Sequence, residues 1–572
     1  MSLALKVSER SKSTRTATQD YWSKDDGWTD SNGASDVAFG LDAWGNFAAQ
    51  APRDAGPSPS VFGLSAATAA TATTTTATTA ATTTIAPAAA TTSTTSTIPP
   101  WVATLKTASI ATDMRAAISN GTVTFSGLTK VFTDLAATLT SSGTKLTATQ
   151  LADLKTIVAN LGTGVQTSIY LTSIAKSLVT GSASNLTWTG GAATSTIVGN
   201  LYAGSTTGTQ FTELVGKWFL GTDLPSSKVT MGSTTFTVSY STVSKPLFAS
   251  TGASMSDVNQ GNLGDCYLLA SLAEVAKQNQ NLITSMFNDN GNGTYGVRFY
   301  VNGTATWVTV NSSLAKGGTL FNSGADLWAS LAEKGYAQLQ ASSVVTGNWI
   351  NAGNSWTTIG NGGYVEYALA EITGASQITD FCAAGKSWTC NVYNSNLART
   401  GSSGGLSTAS VLSLLVDDLA KGYDLVLTSL TNARDSAGRA TLIANHAMSI
   451  YGYDTATNML EIRNPWGTAA GQTWATTFEV GLSTLLTAGD IITVDNTAKV
   501  TLTAATGSTA TAVKAVESET SGTSSLVDTT ITAAATSFVQ ALATATADTG
   551  ATSVSIGQLS STAATSLATP LS

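Results

Sequence analysis

The stretch His446-Ala-Met-Ser-Ile-Tyr-Gly-Tyr453, Asp454-Thr-Ala-Thr-Asn458, Met459-Leu-Glu-Ile-Arg463, Asn464-Pro-Trp-Gly467 decides how this chain is read. Its first segment has the apolar and aromatic texture of a strand. Asp454–Asn458 carries turn residues, and Met459–Arg463 reads as a second strand. Folded as an antiparallel hairpin about that turn, opposed residues have numbers adding to about 910–912, and those of His446 and Asn464 fall in that window. The register alone is therefore expected to bring an imidazole and a carboxamide together at the open end. His446 is the single histidine of 572 residues, so no other ring competes for this place. A carboxamide oxygen fixes the tautomer at one ring nitrogen and leaves the other to act as a base. Trp466 is expected to shield that bond from water. The plainer alternatives are a core histidine with satisfied bonds and a turn that merely ends a strand.

A base of this kind needs a nucleophile, and Gln260-Gly-Asn-Leu-Gly-Asp-Cys266 supplies one. Cys266 begins an apolar run, Tyr267 to Ala276, without Gly or Pro, which predicts a helix with Asp265 as its N-cap. A thiol in the first turn sits at the positive end of the helix dipole, where the thiolate is favoured. Gln260, six residues earlier, is positioned to reach back and donate its amide to a developing oxyanion beside the Cys266 N–H. The structural alternative is a buried cysteine acting as a small apolar residue.

Composition narrows the class. Charged residues make up 11% of the chain, the net charge is −8 and the isoelectric point is near 4.8, which argues against a nucleic-acid partner. Three cysteines, Cys266, Cys382 and Cys390, cannot build a disulfide framework, although Cys382 and Cys390 can pair and leave Cys266 free. No stretch approaches the ~18 apolar residues of a membrane span. Met1–Arg15 lacks the apolar segment of a conventional signal peptide, so a cytoplasmic location or secretion by another route is expected.

Along the chain the texture changes four times. Residues 1–62 are mixed and expected to be weakly structured. Residues 63–100 are an Ala/Thr-rich linker ending at Pro99-Pro100, with little apolar surface to bury. Residues 101–205 show helical spacing: Phe125, Leu128, Val131, Phe132, Leu135 and Leu139 share one face, as do Leu146, Leu151, Leu154, Ile157, Val158 and Leu161. They predict a small all-α packing module. Residues 206–497 alternate strands and helices, with a hairpin expected around Asn302-Gly303 and a helix over Val411–Ala420 followed by a strand over Asp424–Ser429. Residues 498–572 return to Thr, Ala and Ser, with a short amphipathic piece at Ile531–Ala543.

Five blocks of residues 206–497 resemble the catalytic domain of calpain-type cysteine proteases. They are Gln260–Cys266, Leu327-Trp-Ala-Ser-Leu-Ala-Glu-Lys-Gly-Tyr-Ala337, Gly362-Gly-Tyr-Val-Glu-Tyr-Ala-Leu369, His446-Ala447 and Asn464–Gly467. The resemblance implies an α+β, papain-like fold with a helical subdomain carrying Cys266, a β subdomain carrying His446 and Asn464, and a cleft between them. It also implies Cys266 as nucleophile, His446 as base and then acid, Asn464 as orienter and Gln260 in the oxyanion hole. Gly362, Gly363, Tyr267 and Trp466 are implied as substrate-binding residues. A bacterial member of the family is the expected source.

The resemblance implies protein or peptide substrates and a cysteine endopeptidase working through a thioester. Its rivals are a surface or binding protein keeping the fold without turnover, and an acyltransferase using the same thioester. No cofactor is required by this chemistry. Calcium enters through the family: Asp257 and Asp326 fall where it has carboxylate ligands, whereas Thr468–Trp474, where the animal enzymes carry an acidic loop, has no charge. The oligomeric state is left open.

Overall fold

A computed structural model gives the fold and describes residues 98–261, 263–316, 324, 326–342 and 351–497. The expected N-terminal region, nearly all of the Ala/Thr-rich linker, and the C-terminal tail with Ile531–Ala543 lie outside the described residues. No helix among the described residues is long and apolar enough to cross a membrane.

The first helices show what the abundant hydroxyl residues do. Helices α1 (Ala108–Ala117), α2 (Phe125–Ser142), α3 (Ala148–Asn160), α4 (Ile169–Val179) and α5 (Gly208–Val215) follow one another. Thr124, Thr147, Ser168 and Thr207 sit at the N-caps of α2 to α5, each side chain accepting from a backbone N–H of the first turn. At Thr147 and Thr207 a glutamine three residues on closes a full capping box. Leu128, Val131, Phe132, Leu135 and Leu139 of α2 and Leu151, Leu154, Ile157 and Val158 of α3 are buried.

This helical core does not stop at residue 205. It continues through Phe211, Leu214, Val215, Trp218 and Phe219, and takes in Trp307 from the following half of the chain. Trp307 lies in a hairpin of β1 (Thr294–Val301) and β2 (Thr304–Asn311), turned at Asn302 and Gly303 with positive φ of 51° and 72°. The Tyr170 and Trp307 rings meet at 5.2 Å, and the Tyr170 hydroxyl shares a hydrogen bond with Thr309 Oγ1 at 2.9 Å. Gly221, φ 60°, lets the chain leave the helices flush against β2; a Cβ there would stand 2.4 Å from the Val310 carbonyl carbon. Helices and hairpin share an apolar seam, so the boundary expected near 205 is not a boundary of packing.

Beyond it, α6 (Cys266–Gln278), α7 (Trp328–Leu339) and α8 (Val365–Thr373) pack with the hairpin into a second core. The rest is an eight-stranded antiparallel sheet. Its strands are β3 (Gln377–Ala384), β4 (Ser387–Asn394), β5 (Arg399–Leu406), β6 (Leu425–Ser429), β7 (His446–Asp454), β8 (Met459–Arg463), β9 (Thr477–Val480) and β10 (Ile491–Asp495). They lie in the order β5-β4-β3-β10-β6-β7-β8-β9. Ile378, Val426 and Ala447 join the helical core, whereas Leu427, Met448 and Ile450 join a third core with the helices Thr408–Lys421 and Leu482–Ala488. The architecture is α+β, a helical half seated on one face of a sheet.

The pairing of Cys382 with Cys390 does not occur; all three cysteines are free. In the β3–β4 ladder Cys382 opposes Thr389, and Cys390 opposes Phe381. One residue of offset sends the two thiols to opposite faces.

A buried ion pair ties the helical core to the loop that leaves it. Lys217 Nζ and Asp223 Oδ2 meet at 2.6 Å with 1% and 0% of their side chains exposed, while Asp223 Oδ1 accepts the Thr189 and Gly190 N–H groups. Removing one partner strands the other charge in an apolar setting. Lys217→Met is therefore expected to destabilise the chain by about 3–5 kcal/mol in urea unfolding; a loss within about 0.5 kcal/mol, typical of a surface change, would contradict this.

Candidate active site

Strand β7 opens at His446, directly after Asn445, whose φ is 57°. The β7–β8 register departs from the expectation. Near the turn Asp454 faces Met459 and Tyr453 faces Leu460; then a bulge at Tyr451 shifts the ladder by one, so that Ile450 faces Ile462 and Ser449 faces Arg463. Carried one step further, this register sets Asn464 opposite Met448, two residues from His446. The side chains close the gap diagonally: His446 Nε2 and Asn464 Oδ1 are 3.0 Å apart. Both residues are buried, and the Trp466 ring lies 4.7 Å from the imidazole, backed edge-on by Trp474. Asn464 Oδ1 also accepts the Trp466 N–H at 3.0 Å, which pins the amide orientation. The Asn464 bond engages Nε2 and not Nδ1.

Cys266 is the first residue of α6 and is buried. Its Sγ accepts the Ala447 N–H at 3.5 Å, so the cysteine and the residue after the histidine are stitched across the seam between helix and sheet. Further bonds hold that seam: Ser449 Oγ to the Ala270 carbonyl at 2.8 Å, Arg463 Nη2 to the Val258 carbonyl at 2.9 Å, and the Gln260 N–H to the Pro465 carbonyl at 2.8 Å. Among the described residues Cys266 and His446 do not hydrogen-bond each other; each is held by its own partner.

Burial dominates the electrostatics of both groups. Burial pushes Cys266 up to about 11; the Ala447 N–H opposes this, the Asp265 carboxylate adds to it, and the N–H groups of the first turn oppose it again. Burial likewise pushes His446 down to about 4, with the Asn464 bond opposing. In both groups burial is the largest influence and favours the uncharged form.

Asp265 is at the N-cap position, but its side chain makes no cap bond. It is fully buried, accepts Gln260 Nε2 at 3.3 Å and hydrogen-bonds Glu333 of α7; burial raises its carboxyl to about 7. Gln260 directs the same Nε2 to the Leu263 carbonyl at 2.7 Å, so its amide faces its own loop rather than the thiol. Gly362 and Gly363 run beside the nucleophile loop, with Gly264 and Gly360/Gly362 exchanging backbone bonds at 2.9 Å. Tyr267 does not form an open wall: it is 1% exposed and lies beneath Gly363, where a Cβ would come within 2.5 Å of its ring. Trp466 is half-buried.

Two participants escaped the sequence reading, the Ala447 N–H on the thiol and Glu333 behind Asp265. The backbone donor leaves no mark in sequence. Glu333 does, as a carboxylate in a helix buried along its whole length.

With a single histidine, a proton NMR titration reports on His446 without assignment. Its pKa lies below the ordinary 6.5, so the neutral ring favours the folded state above that pH, and this contribution fades as pH falls towards 4. The ring signal is expected to stay in its neutral position from about pH 8 to about pH 5. A midpoint near the ordinary value would mean a solvated ring with no buried partner.

Residues 225–481 match the model of the calpain family cysteine proteases. The chain is 27% identical over 249 residues to calpain clp-4 of Caenorhabditis elegans, covering 39% of this chain and 29% of that protein. It is 32% identical over 142 residues to the calpain-type cysteine protease DEK1 of Arabidopsis thaliana, covering 23% and 6%. With the calpain-2 catalytic subunit of Gallus gallus the identity is 27% over 241 residues, covering 39% and 29%. The chain thus spans less than a third of the length of these relatives. Residues 225–481 are a calpain family cysteine protease domain.

Proposed function

We propose that this chain is a cysteine endopeptidase that hydrolyses protein substrates through Cys266, His446 and Asn464. The observation that carries the reading is the buried His446–Asn464 bond under Trp466, on the strand whose next residue donates to the Cys266 sulfur. Nδ1 takes the thiol proton as Sγ attacks the peptide carbonyl carbon. The C–N bond then breaks as the imidazolium protonates the leaving amine, giving an acyl thioester. Water, deprotonated by the same nitrogen, releases the carboxylic acid and restores the thiol.

Burial favours the uncharged form of both groups, so the ion pair is formed at the moment of attack or when the two side chains close on one another. Each charge is then the other's counter-ion in a desolvated setting. The Cys266 N–H at the head of α6 faces the developing oxyanion. Gln260 joins it by turning its amide away from the Leu263 carbonyl. The hydrolysis itself asks for no cofactor.

Acyl transfer to an amine shares every step up to the thioester, and a non-catalytic binding protein shares the fold. Neither is favoured by a specific contact. Casein and peptide hydrolysis by the purified chain distinguishes them. Cys266→Ala is expected to lose at least about 10³-fold in kcat/KM. Asn464→Ala should lose roughly 10²-fold, mainly in kcat, because the imidazole loses its orientation. Products of free acid identify hydrolysis, and amide products identify transfer. Undiminished cleavage by Cys266→Ala would end the proposal.

A further inference from the structure

The seam that joins Cys266 to Ala447 carries a different chemistry at its far end. Strand β6 pairs with β10 so that Leu425 faces Val494, which sets Asp424 opposite Asp495 one step on. The Asp495 N–H donates to the Asp424 carbonyl at 3.2 Å, and the Asp424 N–H returns to Asp495 Oδ1 at 3.1 Å. Alternation sends the Asp424 and Asp495 side chains to the face of Val426, which lies in the helical core, while Leu425 and Val494 lie in the outer one. There Glu274 of α6 meets them, its carboxyl beside the Leu425 N–H. Glu274, Asp424 and Asp495 are 0%, 0% and 2% exposed.

Few donors reach these carboxyls. Glu274 Oε1 accepts Gln278 Nε2 at 2.8 Å, and Asp495 Oδ1 accepts the Thr497 N–H at 3.3 Å besides that of Asp424. Glu274 Oε2, Asp495 Oδ2 and both oxygens of Asp424 are buried with no hydrogen-bond partner among the described residues. Thr373, at the end of α8, faces Asp495, but its hydroxyl donates to the Leu369 carbonyl at 2.8 Å. No basic side chain forms an ion pair with any of the three among the described residues. The cation that acts on Glu274, Lys277, is exposed, with Nζ 5.9 Å from the centre of the Tyr451 ring. Among the described residues no group of three or more His, Cys, Asp or Glu could hold a metal, here or around Asp257 and Asp326.

Three anions buried together without a counter-charge repel one another and are strongly disfavoured. A proton on one carboxyl turns the contact between Asp424 and Asp495 from a repulsion into a hydrogen bond. We propose that Glu274, Asp424 and Asp495 are an acid-set latch between α6 and the sheet: protons shared among them close the far end of the seam, and their loss as the pH rises loosens it. Burial raises all three carboxyls, Asp495 and Glu274 add to the rise of Asp424, and Asp495 stands at about 6. Carboxyls raised above their ordinary values of 3.8 and 4.5 contribute stability that is present below that range and is lost as the pH rises through about 6 and beyond. The latch lies on the helix that begins at Cys266, but its readout is stability, so it holds or fails apart from the peptidase reading.

The test is thermal unfolding of the full chain near pH 5 and near pH 8, comparing the natural sequence with Asp424→Asn. Asparagine keeps the shape and can donate to Asp495 without a charge. Near pH 8 the variant is expected to melt at least about 2 °C higher than the natural chain, and near pH 5 the gap should fall below about 1 °C. Hydrogen exchange, corrected for its intrinsic pH dependence, should show residues 266–278 and 425–429 of the natural chain at least about 10-fold less protected near pH 8 than near pH 5. That difference should shrink several-fold in Asp424→Asn. If Asp424→Asn does not fold, Glu274→Gln gives the same two readings. A gap that does not change with pH, or a variant less stable at both, would overturn the proposal. So would about 1 mM calcium raising the Tm of the natural chain but not that of Asp424→Asn, because a bound cation would then neutralise the cluster.

Discussion

The buried bond between His446 Nε2 and Asn464 Oδ1 is the constraint around which the catalytic half is arranged. An imidazole 3% exposed is tolerable only if its polar atoms have partners, and the amide can be that partner only if β7 and β8 are held in one register. The bulge at Tyr451 sets that register at the end of the hairpin that matters. From there the seam runs into the helical half: Ala447 to the Cys266 sulfur, Ser449 to Ala270, Arg463 to Val258, Pro465 to Gln260. Alternate residues of β7 serve the two sides of the sheet, Ala447 in the helical core and Met448 in the outer one. One strand thus carries His446 and holds the helix that begins at Cys266.

The surroundings of the thiol are shaped by desolvation more than by dipoles. Asp265, Glu333, Glu371 and Tyr336 lie within or beside the helices behind Cys266, and burial raises Asp265 to about 7 and Glu371 to about 8. Burial thus acts in one direction on these carboxyls and on the thiol, against the charged form. On the proposed mechanism, reactivity depends on bringing the two groups together in a dry setting, where a thiolate–imidazolium pair stabilises itself. The helices preceding the domain pack into it. Their core continues into Trp307 of the β1–β2 hairpin, and that hairpin packs against α7 and α8 in the next core.

Much of this was legible in the sequence wherever a period or a turn signal forces one answer. Asn302-Gly303 gave the β1–β2 hairpin because few pairs accept positive φ twice. The three-and-four spacing of Phe125–Leu139 gave α2, and the turn at Asp454–Asn458 gave β7 and β8. What stayed hidden depended on contacts distant in the chain. The bulge at Tyr451 changes a register without altering a residue type. Asp265 has the residue type of an N-cap, yet its carboxyl turns to Gln260 and Glu333. Tyr267 reads as a cleft wall until Gly363 is found lying over its ring. Nor does local spacing show that Trp218 and Phe219 close the helical core against a strand some ninety residues later.

The central claim is that Cys266 is a nucleophile served by the one histidine. It is tested most directly by treating the full chain with a peptidyl epoxide and locating the adduct by mass spectrometry. The account predicts a single adduct on Cys266, none on Cys382 or Cys390, and labelling of His446→Ala slower by about 10²-fold or more. Equal labelling of all three cysteines, or a rate unchanged by loss of His446, would contradict it.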